Sequence, residues 1–426
     1  MNELVYSVWL SLATTPGGES FGKLVSRFHT PENIYSADDG AIAAVIGSSS
    51  RDYKALVDKD LERAGEIVDF CTRKQVGILT YFDPRFPSSL KRIKNPPVLL
   101  YYRGKLPDFD GGVFISVVGT RRPTSYGRTN TFKIARDLAL SGATVVSGMA
   151  VGIDGVALAG AISAGMPTVA VIGSGIDVCY PKSHVRLARE IVKLGCVMTE
   201  YAPGTQPDRH NFPTRNRIIS GLSAATVVME GSEKSGALIT ARRAKEQERA
   251  VYAFPGSVGN RNSEASNLLI KNGAKLITCA DDVIRDFGEC KPMLLNPFKL
   301  LDAPSVKIHD VLCEYKVSCV AVDDEVFALK RKRGEKSEKR EASTTAEPVE
   351  KESNSEADAA KAEASVQSSF DKQTLELYKR IPIGDGCAIE RLMCEGCGVR
   401  EVMQGLLKLE IGGFVTMLPG ERVKRK

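Results

Sequence analysis

Several features that would assign this chain quickly are missing. No run approaches the roughly 18 consecutive apolar residues that a membrane span requires. Met1 to Leu12 has no basic segment ahead of a long apolar stretch, so residence in the cytoplasm, with no membrane partner, is the expectation. The ten cysteines (Cys71, Cys179, Cys196, Cys279, Cys290, Cys313, Cys319, Cys387, Cys394 and Cys397) are scattered, which reads as reduced core thiols rather than a disulfide framework. Cys394 and Cys397 have zinc-ligand spacing, with Cys387 nearby, but no second pair completes a tetrahedral set. The histidines, His29, His184, His210 and His309, are dispersed and make no recognisable triad. No metal, no cofactor and no catalytic residue is therefore expected.

Nucleotide signatures are missing too. Gly17-Gly18-Glu19-Ser20-Phe21-Gly22-Lys23 has P-loop spacing, but Leu24 stands where Ser or Thr should hold magnesium, and no strand precedes it. A turn between two helices accounts for it better. Gly148 to Gly152 and Gly173 to Gly175 lack the full Gly-x-Gly-x-x-Gly spacing with an acidic residue about twenty positions on.

What is present is an ordinary globular composition: 426 residues, 43% hydrophobic and 26% charged, with a modest net charge of +6. That length suggests about two to four domains. Residues 1–75 are helical in pattern, with Leu4, Val5, Val8 and Leu12 and then Phe21, Leu24, Val25 and Phe28 at helical spacing either side of Thr14-Thr15-Pro16-Gly17-Gly18. Tyr81 to Gly104, rich in proline and aromatics, reads as a connector. Over 76–290, apolar runs (Val113–Val118, Ala143–Val146, Thr168–Ile172, Cys196–Thr199, Ala225–Met229, Ala250–Phe254) alternate with helix-like segments such as Thr131–Leu140, Val185–Leu194 and Ala237–Gln247. That grammar predicts an α/β fold, a Rossmann-like parallel sheet covered on both faces. An extension occupies 291–329. Residues 330–369, nearly without large apolar side chains, are expected to be a disordered charged linker. Over 370–426 a helical pattern followed by Phe414-Val415-Thr416-Met417-Leu418, Pro419-Gly420 and Val423 predicts helices and a hairpin, a C-terminal winged helix.

The turn Gly119-Thr120-Arg121-Arg122-Pro123-Thr124-Ser125-Tyr126-Gly127 is the leading site candidate. Glycine at a strand end lets a ligand approach the backbone, the following helix offers unpaired N–H groups, and Arg121 and Arg122 add charge for a phosphate. The plainer reading is a strand-to-helix turn with solvated arginines. Asp154 reads either as an acid–base group or as a helix cap. In Phe212-Pro213-Thr214-Arg215-Asn216-Arg217, an aromatic beside two arginines suits single-stranded nucleic acid. The alternative is a helix start whose arginines pair with carboxylates and whose phenylalanine is core. Glu230 to Thr240, with Ser235, makes a second anion-friendly turn. Gly111 to Cys290 carries 21 Lys and Arg against 15 Asp and Glu, a basic surplus that a phosphate groove requires.

Taken in order, Val118-Gly119-Thr120-Arg121, Ser147-Gly148, Gly152-Ile153-Asp154, Tyr180-Pro181, Glu200, Phe212-Pro213-x-Arg215-Asn216-Arg217, Ser235-Gly236-Ala237-Leu238-Ile239-Thr240, Phe254-Pro255-Gly256 and Leu269-Ile270-x-x-Gly273-Ala274 resemble the DNA processing protein A (DprA/Smf) family from about Leu79 to Asp282. The resemblance implies a non-catalytic mediator that binds single-stranded DNA on the Rossmann-like domain, forms a homodimer and loads RecA recombinase in natural transformation. By motif it assigns DNA contacts to Arg121, Phe212, Arg215 and Arg217, with Lys271 as an addition. It departs from the family at Val151, where arginine is usual, at Leu158, where histidine is usual, and at Ala265, where glycine is common. A nucleotide-cleaving phosphoribohydrolase on a related fold is the enzymatic alternative, but its Pro-Gly-Gly-x-Gly-Thr string is replaced here by Glu230-Gly231-Ser232-Glu233 and Ser235-Gly236. A duplex regulator acting through the winged helix is a third reading. A fragment from about Leu79 to Asp286 is expected to carry strand binding by itself.

Overall fold

The computed structural model describes residues 3–288, 295, 306–317, 372–381 and parts of 387–425. They fall into two units, Met1–Ser337 and Glu338–Lys426.

The first unit opens with six helices: α1 (Glu3–Ala13), α2 (Ser20–Phe28), α3 (Pro31–Ser36), α4 (Asp39–Ile46), α5 (Tyr53–Asp58) and α6 (Glu62–Arg73). Local chemistry starts two of them. The Thr30 side chain accepts from the Asn33 N–H with Pro31 opening α3, and Asp38 accepts from the Ala41 N–H to open α4. Gly17 and Gly18 lie in the turn between α1 and α2, with no strand before them.

A nine-stranded sheet follows. Its strands are β1 (Gly77–Thr80), β2 (Leu99–Gly104), β3 (Phe114–Val118), β4 (Thr144–Ser147), β5 (Thr168–Val171), β6 (Cys196–Thr199), β7 (Ala225–Val228), β8 (Ala250–Ala253) and β9 (Lys275–Leu276). The order is β1-β2-β6-β5-β4-β3-β7-β8-β9, parallel from β6 to β9. All six expected apolar runs are strands, and β3 to β7 are buried at every position, as central parallel strands must be. Between them run α7 (Ser88–Lys91), α8 (Ser125–Leu140), α9 (Ile153–Ser163), α10 (Val185–Leu194), α11 (Asn211–Leu222), α12 (Gly236–Glu246) and α13 (Glu264–Lys271), and α14 (Asp281–Gly288) follows β9.

One expectation needs correcting. Tyr81 to Gly104 is not merely a connector, because β2 lies inside it. β2 pairs antiparallel with both β1 and β6, with Tyr101 opposite Thr199, so the sheet is mixed at that edge. The N-terminal helices share an apolar core with the sheet. One continuous apolar cluster runs from Trp9, Leu24, Ile34 and Ile67 to Leu99, Tyr101, Leu158, Ile162 and Val197 on the sheet and its helices. Of the extension, Leu295 and 306–317 are described; α15 (Ile308–Glu314) and Val317 pack against this same cluster.

The second unit holds α16 (Lys372–Arg380) and the strands β10 (Cys387–Ala388), β11 (Val415–Leu418) and β12 (Arg422–Arg425), paired in the order β10-β12-β11. The hairpin expected after Phe414 is β11–β12. The linker 330–369, Cys394, Cys397 and much of the Val399–Glu410 segment lie outside the described residues. Among the described residues no helix is long and apolar enough to cross a membrane.

Candidate nucleic-acid interface

In the parallel part of the sheet, chain order reverses between β3 and β7. Open α/β sheets bind ligands at such a switch point, outside the carboxyl ends of the strands. A cavity of about 490 Å³ opens there, and Gly119, Thr120, Arg121, Arg122, Phe212, Arg215, Asn216 and Ser235 all line it. Three other sequence candidates do not line it: Ser125 opens α8, Lys271 ends α13, and Arg217 is buried behind α11.

The loops around the cavity are tied to one another. The Glu230 carboxylate, itself buried, accepts from the Thr124 N–H at 2.9 Å and from the Thr124 hydroxyl at 2.5 Å. The Thr124 hydroxyl oxygen in turn accepts from the Gly127 N–H at 3.0 Å, which caps α8. The Thr120 N–H donates to the Glu230 carbonyl at 2.7 Å, and the Ile153 N–H donates to the Thr120 carbonyl at 3.1 Å. On the far side Asn262 donates from Nδ2 to the Arg122 carbonyl at 2.8 Å, while its own carbonyl accepts from Gly231. Arg261 and Asn262 both line the cavity, and sequence reasoning passed over them. The signal was available: Phe254-Pro255-Gly256 ends another parallel strand beside the switch point, so the loop after it had to reach the same end of the sheet.

Asp154 is not the helix cap. It sits in the first turn of α9, but Gly152 occupies the cap position, and the Asp154 Oδ2 accepts from the Gly148 N–H at 3.1 Å. It therefore clamps the loop after β4. Burial pushes its carboxyl above the usual range, and Arg215 and Arg121 pull it back. Arg215 is buried beside it and donates from Nη1 to the Val171 carbonyl at the end of β5. Burial brings its guanidinium down to about 10, against the pull of Asp154. Phe212 is half-buried at the cavity wall. The Arg121 guanidinium lies 5.2 Å and that of Arg215 5.9 Å from its ring centroid, and Tyr180 packs on it at 5.7 Å. The arrangement concentrates cations and one aromatic face on a polar cavity, while its carboxylates hold loops in place. Val151, Leu158 and Ala265 are all buried, so the departures noted above act through packing.

Gly152 has φ 87° and ψ −132°, a conformation open essentially to glycine alone. A Cβ there would stand 2.5 Å from the Thr120 carbonyl oxygen and 2.7 Å from the Arg121 carbonyl carbon. Gly152→Ala is expected to cost at least about 1–3 kcal/mol from backbone strain alone and to displace the Arg121 turn. Urea denaturation measures the first effect, and chemical shifts of the 119–124 amides measure the second.

The model of the DNA recombination-mediator protein A family matches residues 77–288. Protein Smf of Synechocystis is 36% identical over 270 residues, 62% of this chain and 68% of that protein. DNA processing protein DprA of Bacillus subtilis is 39% identical over 214 residues, 50% and 72% of the two chains. The chain belongs to the DprA/Smf family. The crystal structure of DprA from Streptococcus pneumoniae superposes with a TM-score of 0.58 at 33% identity, covering 67% of this chain and 98% of that one. The part shared with DprA thus includes every loop of the switch-point cavity, and the match to the family model ends at Gly288, the last residue of α14.

Proposed function

We propose that the switch-point cavity binds single-stranded DNA without catalysing a reaction. One backbone phosphate sits against Arg121, the Gly119–Arg122 turn and the start of α12, and one base stacks on Phe212. The observation that carries this reading is the convergence of Arg121, Arg215 and Phe212 on one polar cavity at the carboxyl end of β3 and β7. Arginine for phosphate and an aromatic face for a base is the sequence-tolerant way of gripping a single strand. The enzymatic alternative finds little purchase, since Glu230 is spent on Thr124 and Asp154 on the Gly148 loop. On the family resemblance the bound strand passes to RecA recombinase, the acting form is a homodimer, and the process served is natural transformation or related recombination. The C-terminal unit is read as a winged helix that contacts protein, because Arg400 and Lys408 in Val399–Glu410 are offset by Glu401 and Glu410.

Titration of the full chain with single-stranded and duplex DNA at several salt concentrations tests the proposal. Single strands should bind more tightly. Arg121→Ala should weaken binding to every sequence and lower the salt slope by about one. Phe212→Ala should cost about 1–3 kcal/mol and leave the slope nearly unchanged. Arg215→Ala is a poorer probe, because that side chain is buried against Val171 and its loss also loosens the loops. If Arg121→Ala and Phe212→Ala both melt and bind like the parent, the cavity is not the DNA site.

A further inference from the structure

The geometry points to a second anion site, for a phosphate group, at the opposite end of the sheet, where Arg92 and Arg249 share a cavity. This cavity, about 190 Å³, is bounded by α7, by Phe114 at the start of β3 and by Ala224 just before β7. It is smaller than the roughly 300–1,000 Å³ of sites that enclose drug-sized ligands, so it suits a phosphate group rather than a whole nucleotide.

Two guanidiniums face one small space there with little to neutralise them. Arg249 spends Nη2 on the Ser89 carbonyl at 3.1 Å, while its Nε is buried without a hydrogen-bond partner among the described residues. Burial pushes its guanidinium down, Arg92 pushes the same way, and Glu248 opposes them. Arg92 is exposed and makes no ion pair among the described residues. The one carboxylate in the lining, Asp110, accepts from the Ser88 N–H at 3.0 Å and hydroxyl at 2.8 Å through the same oxygen. A buried N–H left unsatisfied costs free energy, and like charges in one cavity cost more. A tetrahedral oxyanion between the two arginines offsets the like charges.

The phosphate has two possible sources: free phosphate, or the backbone of a strand held at the first cavity, which rests on the reading above. β3 has five residues, so the two ends of the sheet lie about 17 Å apart, within the span of a strand several nucleotides long but beyond that of a very short one.

The experiment uses the full chain, its Arg92→Ala and Arg92→Lys variants, and Arg121→Ala as the control for the first cavity. Inorganic phosphate is titrated by calorimetry and by amide shifts of Ser88, Ser89 and Arg249; a short and a long oligo-dT are titrated against salt. Arg92→Ala should melt like the parent, bind short oligo-dT unchanged, and lose about tenfold in phosphate affinity at the shifted amides, with Arg92→Lys retaining part of it. If long oligo-dT also loses about one unit of salt slope, the strand backbone is the occupant; if not, free phosphate is. The inference is overturned if the shifts at Ser88, Ser89 and Arg249 do not depend on Arg92 and the long-strand slope does not change. Unchanged strand binding by Arg121→Ala, with Arg92-dependent phosphate shifts intact, would instead sink the first-cavity reading and leave this one standing.

Discussion

Removing residues 1–75 is expected to unfold the sheet rather than release an independent DNA-binding core. The apolar cluster that holds Trp9 and Leu24 also holds Leu99 and Tyr101, so the helices are one wall of the sheet's own core. The contacts are specific. Tyr101 is fully buried in that shared cluster, beside Cys71 of α6. Burial pushes the Cys71 thiol up to about 11. Phe21 meets Tyr81 edge-on at 5.2 Å, and Asn95 donates from Nδ2 to the Gly17 carbonyl at 2.7 Å. Exposing one large apolar side chain costs about 1.5–3 kcal/mol, and a folded domain is stable by about 5–15 kcal/mol. Baring Leu99, Tyr101, Val98 and their neighbours together consumes most of that margin. The measurement is a urea melt of residues 76–288 followed by circular dichroism and tryptophan-independent probes, since Trp9 is lost with the helices. A cooperative transition near that of the full chain would show the helices to be an accessory, and the fragment starting near Leu79 would then be a fair test of strand binding.

The difference between that expectation and the one drawn from sequence has a physical origin. Central parallel strands announce themselves, because burial on both faces makes nearly every position apolar, as in Val113–Val118 with Ser116 alone polar. The β1–β2 edge carries no such mark. Leu99-Leu100-Tyr101-Tyr102-Arg103-Gly104 follows Pro96-Pro97 and mixes aromatic with charged residues, so it looks like connecting chain until Tyr101 is seen to pair with Thr199. The site was legible to the same degree. Glycines and arginines at strand ends marked Gly119–Arg122 and Ser235 correctly as neighbours, because a strand's carboxyl end in a doubly wound sheet fixes where its loop must go. Arg215 and Arg217 were grouped by the motif and by their adjacency. Residues two apart on a helix point about 200° away from each other, so one of them had to leave the cavity. Which of the two stays is decided by Glu200 on the other side of α11, a partner fifteen or more residues distant that no spacing rule supplies.

That partner makes Glu200→Ala the point substitution with the largest expected effect on stability. The Arg217 Nη2 donates to the Glu200 Oε1 at 2.5 Å, and both side chains are more than nine-tenths buried. Burial pushes the Glu200 carboxyl up, and Arg217 opposes it. Among the described residues Arg217 has no other hydrogen-bonded relief, since its Nε and Nη1 are buried without partners there, as is the Glu200 Oε2. Deleting the carboxylate strands a buried guanidinium, which typically costs about 3–5 kcal/mol. Replacing both members by apolar residues, Glu200→Leu with Arg217→Met, removes the desolvation penalty together with the attraction and should be near neutral or stabilising. The pair also anchors α11 against the N-terminal turn: a Cβ on Gly17 would lie 2.8 Å from the Thr214 Cγ2 and 3.1 Å from the Arg217 Nε. The same helix presents Phe212 and Arg215 to the cavity, so the double variant separates stability from positioning. If it melts like the parent but binds single strands several-fold more weakly, the ion pair sets the rotation of α11; if it binds like the parent, packing alone does. A Glu200→Ala chain within about 1 kcal/mol of the parent, below the usual cost of an uncompensated buried charge, would mean that water reaches Arg217 and that the pair is not the buried anchor described here.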